Sequence, residues 1–396
     1  MPDTSTPDPD IEPQAASVTS VSGGVNVAAD QVTIGGDLIG RDKIVGYTAE
    51  QVRALLEAAI KAAHEQAPIA AAPTFDELAA HYKTVVKAFS DGRVVPFLGI
   101  GANLCGRPDG AHWQAQHDLP SDTELAEYLA DNFGYPAPNR QDLLRVAQYV
   151  AVMNGVGPLY ENLRTLFDTD YTPTALHQLL AMIPSVLSAK GYPPRHQLIV
   201  TTNYDDLMER TFKAVGEPFD VVIYIADTDQ RGNFVHWPHD AEPRLIDKPN
   251  EYSGLPIELP SCNLSRSIVL KLHGAVNRAN AEQDSYVVTE DHYIDYLAHK
   301  DVSNPIPSTL AAKLKKSNFL FMGYTLRDWN LRVILQRLWT QQQLSYTSWA
   351  IQENAEALDR KFWGKHNVEI LNVRLEDYVK QLTGHLSALP LVQVKP

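Results

Sequence analysis

The stretch "HQLIVTTNYDDLMERTF" (residues 196–212) decides the fold class, because it joins three local patterns without a gap. Its apolar run, which ends at Thr201, is typical of a strand that is covered on both faces. Four polar residues, Thr202 to Asp205, follow, and "DLMERTF" continues as a helix. Asn203 or Asp205 could cap this helix, but two such side chains after two threonines exceed what a cap requires. The stretch therefore predicts a strand–helix unit of a parallel sheet, with function at the strand end.

The same alternation of strand and helix recurs along the chain. It predicts an α/β fold whose mostly parallel sheet is covered by helices. A long helical block, 121–190, follows the first strand, and residues 226–262 are polar, rich in proline and histidine, and without a period. We expect this second segment to be a loop that is either functional or partly disordered. The strand candidates are residues 94–98, 197–201, 219–224, 267–272, 318–322, 346–351 and 368–373.

Three further predicted strands end in residues that suit a ligand. "VVPFLGIGANL" (94–104) contains Gly99 and Gly101, and glycines let a backbone approach a phosphate. "RSIVLKLHGA" (266–275) leads into His273, and "FMGYT" (321–325) ends in a Gly-Tyr-Thr turn. Each motif alone is also explained by a tight turn or a packed histidine ring. Their order along the chain is that of a nucleotide site at the carboxyl edge of a doubly wound sheet.

The first 73 residues have a different character. Residues 1–21 are rich in Pro, Asp, Ser and Thr, which predicts a disordered tail. Residues 22–46 carry near-alternating valines and isoleucines between glycine pairs, which predicts two or three tiny strands that are not stable alone. We expect these strands to pair with copies of themselves, with docking on the chain's own main domain as the alternative. Residues 47–73 predict a helix and a linker, and the main domain begins at residue 74.

The composition is that of an ordinary globular chain: 396 residues, 44% hydrophobic and 21% charged. A net charge of −14 makes direct nucleic-acid binding unexpected. No run approaches the about 18 apolar residues of a membrane span, and the N-terminus is too acidic for a signal peptide, so we expect a cytoplasmic protein. Two cysteines are too few for a four-cysteine zinc module. We expect His177 to pack or to bond locally on a helix face. His236 and His239 resemble metal-binding spacing only superficially and lack acidic partners of clear spacing, so no metal is predicted.

Four stretches, taken in order, resemble the SIR2-like family, in the branch found in bacterial antiphage defence. They are "FLGIGAN" (97–103), "TTNYDDL" (201–207), "LKLHGAV" (270–276) and "FMGYTLRDWNLRVIL" (321–335). The similarity covers roughly residues 75–390, and "VEILNVRLEDYVKQL" (368–382) is similar to the family's last strand and helix. "VTIGGDLIGRDKI" (32–44) resembles, more loosely, a short β-rich element found beside effector domains. The resemblance implies a Rossmann-like, doubly wound α/β sheet with a helical subdomain.

The resemblance also implies that NAD is the substrate and that its nicotinamide–ribose bond is cleaved. It assigns Asn203 and His273 as the catalytic pair and places Asp205 near a ribose hydroxyl. Deacylating sirtuins carry a zinc module with two Cys-x-x-Cys pairs, which this chain lacks, so NAD hydrolysis is favoured over deacylation. The residues predicted to bind NAD are Gly99, Ile100, Gly101, Ala102, Asn103, Thr202, Asp205, Gly323, Tyr324 and Thr325.

The chemistry of the residues agrees with this assignment. Asn203 offers an amide that can both donate and accept, which suits the orientation of a water. His273, with an ordinary pKa of about 6.5, suits proton acceptance at neutral pH, and the backbone N–H groups of Gly99 to Gly101 suit a diphosphate. We therefore expect an NAD-depleting antiphage effector that is regulated by assembly into a homo-oligomer or filament, with a phage-sensing partner protein. The alternative is a non-catalytic sensor of NAD or a nucleotide derivative.

Overall fold

The structure is a computed structural model, and the chain divides into two units, Met1–Pro68 and Ile69–Pro396. The structure describes residues 75–298 except 137 and 194, then 306–326, 332, 335 and 346–392, together with four short strands of the first unit. The predicted helix and linker at 47–73, most of the predicted tail and the helix expected near Arg327 lie outside the described residues.

The first unit contains two small antiparallel hairpins. β1 (Ser20–Val21) pairs with β2 (Gly24–Val25), and β3 (Leu38–Ile39) pairs with β4 (Lys43–Ile44). Two or three strands were expected within residues 22–46, and the structure has three there, β2, β3 and β4, while β1 lies inside the segment 1–21 that was predicted to be disordered. Each strand carries at least one aliphatic residue, and the short segments between paired strands contain glycine, which is typical of hairpins. Whether these strands pair between chains stays a prediction.

The second unit is built on a nine-stranded sheet whose order is β17–β16–β15–β5–β6–β12–β7–β8–β9. Pairing is parallel from β17 through β7, whereas β8 and β9 continue the sheet with antiparallel pairing. This architecture confirms the predicted Rossmann-like α/β class. The strands of the sheet are β5 (Val94–Leu98), β6 (Leu198–Thr201), β7 (Phe219–Tyr224), β8 (Phe234–Trp237), β9 (Arg244–Ile246), β12 (Ser267–Lys271), β15 (Asn318–Met322), β16 (Ser348–Ile351) and β17 (Val368–Leu371).

Two further hairpins lie outside this sheet. β10 (Ile257–Glu258) pairs with β11 (Asn263–Leu264), and β13 (Gly274–Ala275) pairs with β14 (Ser285–Tyr286). Residues 226–262 therefore contain β8, β9 and β10, and the expectation of a long irregular loop was wrong. Strands of two to four residues are too short to show a period in the sequence. Their inward side chains nevertheless bury Phe234 and Ile246 in the core.

The helices cover both faces of the sheet and form the predicted helical block. They are α1 (Phe75–Ser90), α2 (Asp122–Asn132), α3 (Leu143–Asn154), α4 (Val156–Phe167), α5 (Ala175–Ala189), α6 (Leu207–Val215), α7 (Glu290–Ala298), α8 (Ser308–Lys315), α9 (Ala357–Gly364) and α10 (Leu375–Ser387). Four of them, α2 to α5, lie within residues 121–190. In the described part of the chain, every helix is too short or too polar to cross a lipid bilayer.

The sheet is buried on both faces because successive side chains of a strand point in opposite directions. In β5, Val94 and Leu98 belong to the core under α1, α5 and α10, whereas Val95 and Phe97 belong to the core under α8 and α9. Each such side chain contributes about 1.5–3 kcal/mol when it is fully buried. A third core, which includes Leu129 of α2, joins α2, α3 and α4 into the helical subdomain. The two covered faces leave the ends of the strands as the open surface of the sheet.

Candidate active site

The carboxyl ends of four neighbouring strands, β15, β5, β6 and β12, open into one cleft. The cleft has a volume of about 780 Å³, which is in the range of pockets for cofactor-sized ligands. Asn203 and His273, the two predicted catalytic residues, both line it. Six of the ten predicted NAD-binding residues line it as well: Ile100, Gly101, Thr202, Gly323, Tyr324 and Thr325. Gly99, Ala102, Asn103 and Asp205 are not among its lining residues.

The Gly-x-Gly loop packs against the Gly-Tyr-Thr loop, backbone against backbone. The N–H of Gly99 donates to the carbonyl of Met322 over 3.0 Å, and that of Gly101 donates to the carbonyl of Gly323 over 2.9 Å. Gly323 has a φ of +76°, and a Cβ added there would lie 2.2 Å from the backbone nitrogen of Ala102. These two glycine amides are therefore occupied, contrary to the expectation that they face a diphosphate. Of the three amides, only that of Ile100 has no hydrogen-bond acceptor among the described residues.

The two threonines of the T-T-N-Y-D segment hold the strand ends together. The hydroxyl of Thr201 donates to the carbonyl of Leu98 over 2.9 Å and accepts from the N–H of Asn203 over 3.0 Å. The hydroxyl of Thr202 lies 3.1 Å from the hydroxyl of Tyr324. This second contact joins the end of β6 to the Gly-Tyr-Thr turn. Thr201 is thus structural, while Thr202 lies on the wall of the cleft beside Tyr324.

Asn203 is buried, and its side-chain nitrogen is fully used by the protein. Nδ2 donates to the carbonyl of Gly99 over 3.1 Å and to Oδ1 of Asn103 over 3.2 Å. Its Oδ1 accepts no hydrogen bond from any residue that the structure describes. The amide was expected to act as both donor and acceptor toward a water. The structure leaves only its acceptor for a ligand.

Asn103 and Asp205 lie behind Asn203. Nδ2 of Asn103 donates to Oδ2 of Asp205 over 2.6 Å, and Oδ1 of Asp205 accepts from the N–H of Leu207 over 3.0 Å. Asp205 therefore accepts from the first N–H of α6, although Asp206 occupies the N-cap position of that helix. Its side chain is buried and directed at protein groups rather than at the cleft.

His273 is buried directly after β12, and among the described residues its ring has one hydrogen-bond partner. Nδ1 lies 3.3 Å from the hydroxyl of Tyr293, and the two rings meet edge to face. Nε2 is buried without a hydrogen-bond partner among the described residues. Burial away from water lowers the pKa of His273 to about 3, because desolvation disfavours the charged imidazolium. The ring is therefore neutral at physiological pH, with Nε2 as its unused atom.

Several residues of the cleft were not anticipated from the sequence. Gln352 and Glu353 follow β16, and Arg374 follows β17, so the strand-end rule that found Asn203 could have found them too. Arg374 makes a two-pronged contact with Asp109, at 3.0 Å and 3.2 Å. Tyr293 projects from the middle of α7, and no local sequence pattern distinguishes it from a core tyrosine.

The other histidines have structural roles, as predicted. His177 caps the start of α5 through Thr174, whose hydroxyl lies 2.8 Å from Nδ1. His236 is buried with Nε2 3.0 Å from Asp220, and the backbone N–H of His239 donates to the same carboxylate. No group of three or more His, Cys, Asp or Glu side chains within the described ranges is arranged to hold a metal ion. Metal-free chemistry stays a prediction.

Part of the chain matches a known family model. Residues 197–371, which run from β6 through β17, match the family model described as the SIR2-like domain. Asn203, His273 and the Gly-Tyr-Thr turn fall inside the matched range, whereas the Gly-x-Gly loop precedes it.

Three curated proteins to which this chain is similar carry the name NAD(+) hydrolase ThsA. The one from Acinetobacter baumannii is 25% identical over 257 residues, which is 64% of this chain and 41% of the relative. Those from Cytobacillus dafuensis and Enterococcus faecium are 23% and 25% identical, over 65% and 69% of this chain and 40% and 44% of their own lengths. The chain thus spans less than half the length of the relatives it matches.

Proposed function

We propose that the protein is an NAD hydrolase that cleaves the nicotinamide–ribose bond. The observation that carries this proposal is that Oδ1 of Asn203 and Nε2 of His273, both unused by the described residues, belong to side chains lining one cleft of a SIR2-like domain. The relatives named NAD(+) hydrolase support NAD as the substrate.

The proposed reaction needs a group that accepts a hydrogen bond from the attacking water and a group that accepts one proton from it. Nicotinamide departs as a neutral base, which leaves positive charge at C1′ of the ribose. Oδ1 of Asn203 accepts a hydrogen bond from the attacking water and so holds its oxygen toward C1′. The adduct of water and this cationic carbon is a strong acid, so even an imidazole with a lowered pKa can take its proton. His273 then passes the proton to solvent, and ADP-ribose is released.

Incubation of the purified chain with NAD tests the proposal. We expect nicotinamide and ADP-ribose to form in equal amounts, and Asn203→Ala and His273→Ala each to abolish turnover while the fold remains. EDTA should leave the rate unchanged, and an acyl-lysine peptide should not be deacylated, since two cysteines cannot form a four-cysteine zinc module. Intact NAD after prolonged incubation with well-folded protein, whatever its assembly state, would contradict the proposal.

A non-catalytic sensor of NAD is the second candidate. The lowered pKa of His273 favours it, because a weak base is a poor proton acceptor for most chemistry. A sensor would bind NAD in the same cleft and leave it intact. Binding measured by calorimetry, alongside nicotinamide release, separates the two candidates.

We further propose that the enzyme acts as an NAD-depleting effector of antiphage defence and that assembly through residues 22–46 controls it. The family resemblance supports the first part, and the short β-hairpins of the first unit support the second. Many weak contacts multiply when copies assemble, so a small change in each contact gives a large change in assembly. Expression of the chain with and without its catalytic pair, followed by phage challenge and measurement of cellular NAD, tests the defence role.

A further inference from the structure

Two buried side chains, Asn203 and Asp205, and the partly buried Asn103 between them form a hydrogen-bonded row that begins at the cleft and ends behind it. Asn203 donates through Nδ2 to Oδ1 of Asn103 over 3.2 Å, and Asn103 donates through Nδ2 to Oδ2 of Asp205 over 2.6 Å. Asn203 also donates to the carbonyl of Gly99 over 3.1 Å. The row runs across 102 residues of sequence, from the loop after β5 to the loop after β6.

The chemistry at the far end sets the direction of every bond in the row. A carboxylate only accepts hydrogen bonds, whereas an amide side chain donates at one end and accepts at the other. Asn103 must therefore turn its nitrogen toward Asp205 and its oxygen toward Asn203. Asn203 must therefore donate to Asn103 through its nitrogen, and its hydrogen bond to the carbonyl of Gly99 requires the same orientation. Its oxygen is thereby left for the cleft.

Asp205 is itself held by groups that do not face the cleft. Its second carboxylate oxygen accepts from the N–H of Leu207. Its backbone carbonyl accepts a hydrogen bond from the ammonium of Lys271, which is buried and also pairs with Glu209 over 2.9 Å. The buried His177 is a further titratable group on which the Asp205 charge acts. These contacts keep the carboxylate at a fixed place behind Asn103.

We propose that Asp205 and Asn103 are positioning residues that fix the side-chain amide of Asn203 with its oxygen toward the cleft. The proposal rests on the proposed NAD hydrolysis and reassigns two residues that the sequence predicted to bind NAD. The fixed oxygen selects a ligand group that donates a hydrogen bond, such as water or a ribose hydroxyl.

Replacement of the carboxylate by an amide tests the direction of the row. In Asp205→Asn, the new side chain keeps its oxygen on the N–H of Leu207 and presents its nitrogen to Asn103. The amide of Asn103 must then flip and present its nitrogen to Asn203. That nitrogen requires the oxygen of Asn203, whereas the carbonyl of Gly99 still requires its nitrogen. We expect kcat to fall by up to roughly 10²-fold, the scale of a misplaced reacting group, while the Kd for NAD changes little. Asp206→Asn, which removes the neighbouring carboxylate that pairs with Arg278 at the surface, is the matched control and should keep the parental kcat.

Asn103→Asp provides a pH signature that a merely structural role would not give. The new carboxyl would face Asp205 at about the 2.6 Å of the present contact, and two carboxylates that close cannot both ionise. When the two carboxyl groups share one proton, the new group at position 103 donates it toward Asp205 and accepts a hydrogen bond from Asn203. We therefore expect the kcat of this variant to rise as pH falls, by up to roughly tenfold per pH unit, while the parent shows no such rise. This variant decides the matter if Asp205→Asn does not fold.

The proposal and the proposed function fail in different ways. A parental kcat in Asp205→Asn, or a pH profile of Asn103→Asp parallel to that of the parent, overturns the positioning role and leaves NAD hydrolysis standing. If the parent does not cleave NAD, the proposed function fails. The positioning role can then be tested without an activity assay, by NMR measurement of hydrogen exchange at the Asn203 side-chain amide. Slow exchange in the parent and fast exchange in Asp205→Asn support it, and equal exchange rates overturn it.

Discussion

The hydroxyl of Tyr293 lies 3.3 Å from Nδ1 of His273, and the tyrosine is the protein group that holds this ring. If Nδ1 carries the proton and donates to the tyrosine oxygen, the lone pair of Nε2 faces the cleft. Nε2 is the atom left without a partner by the described residues. A neutral imidazole has two tautomers, and the partner of one nitrogen determines which is populated. The Tyr293 hydroxyl thus controls whether His273 presents an acceptor to a ligand.

Removal of this hydroxyl should slow turnover without weakening NAD binding. In Tyr293→Phe, the ring of His273 keeps its edge-to-face packing but loses the partner of Nδ1. We expect kcat to fall about two- to tenfold, the value of one hydrogen bond, with KM nearly unchanged. The ¹⁵N shifts of His273 should move from one dominant tautomer toward a mixture.

Tyr378→Phe is the control for that change. Its hydroxyl also contacts a buried histidine, at 2.9 Å from Nε2 of His81, but outside the cleft. This variant should keep the parental kcat even if its stability falls. Equal kcat values for Tyr293→Phe and the parent would remove Tyr293 from the mechanism.

A side chain at Gly323 should damage both the fold and the cleft. A Cβ there would meet the backbone nitrogen of Ala102 at 2.2 Å, and the residue has a φ of +76°. Gly216 has a φ of +73° with nothing within 4 Å of its Cβ position, so Gly216→Ala isolates the cost of the left-handed backbone, about 1–2 kcal/mol. We expect Gly323→Ala to lower the free energy of unfolding clearly further in urea titrations. Equal losses in the two variants would show that the loop contact is not required.

The sequence predicted where the site lies better than how its parts are bonded. Strand-end polar residues such as Asn203 and His273 are visible because a strand and its following turn are adjacent in the chain. The sequence did not show that the amides of Gly99 and Gly101 are occupied, because their hydrogen-bond acceptors lie more than 200 residues away along the chain. The same holds for Tyr293, whose contact with His273 depends on how α7 docks.

Buried neutral histidines should make the fold sensitive to acid. Burial lowers the pKa of His81 to about 4, so below about pH 6.5 the unfolded chain binds a proton that the folded chain does not. This contribution to stability is complete above the unfolded pKa and is lost as pH falls from about 6.5 toward 4, at up to ~1.4 kcal/mol per pH unit. His81→Gln should therefore flatten the fall in unfolding free energy between about pH 7 and pH 5.

The control for that titration is His112→Gln, since His112 is exposed to solvent. It should reproduce the parental pH dependence in urea titrations at each pH. A parental slope in His81→Gln would show that this histidine does not drive the acid sensitivity.

Deletion of residues 1–46 should lower the oligomeric mass of the protein. The hairpins β1–β2 and β3–β4 have only two residues per strand, and sheets of that size are not stable alone. They need a partner surface, and we expect copies of the same element to supply it. Light scattering of the full and shortened chains at equal concentration checks this. The same oligomeric mass for both would exclude assembly through this element.

The contact between the Gly-x-Gly loop and the Gly-Tyr-Thr turn has a consequence for synthesis. Gly99 leaves the ribosome long before Met322 and Gly323, whose carbonyls receive the amides of Gly99 and Gly101. A nascent chain that stops before residue 323 therefore lacks one wall of the cleft, even though Asn203 and His273, the proposed catalytic pair, are already made. Broken messages and aborted translation would yield fragments without a complete site. Under the proposed function, such fragments would not cleave the NAD of the cell that makes them.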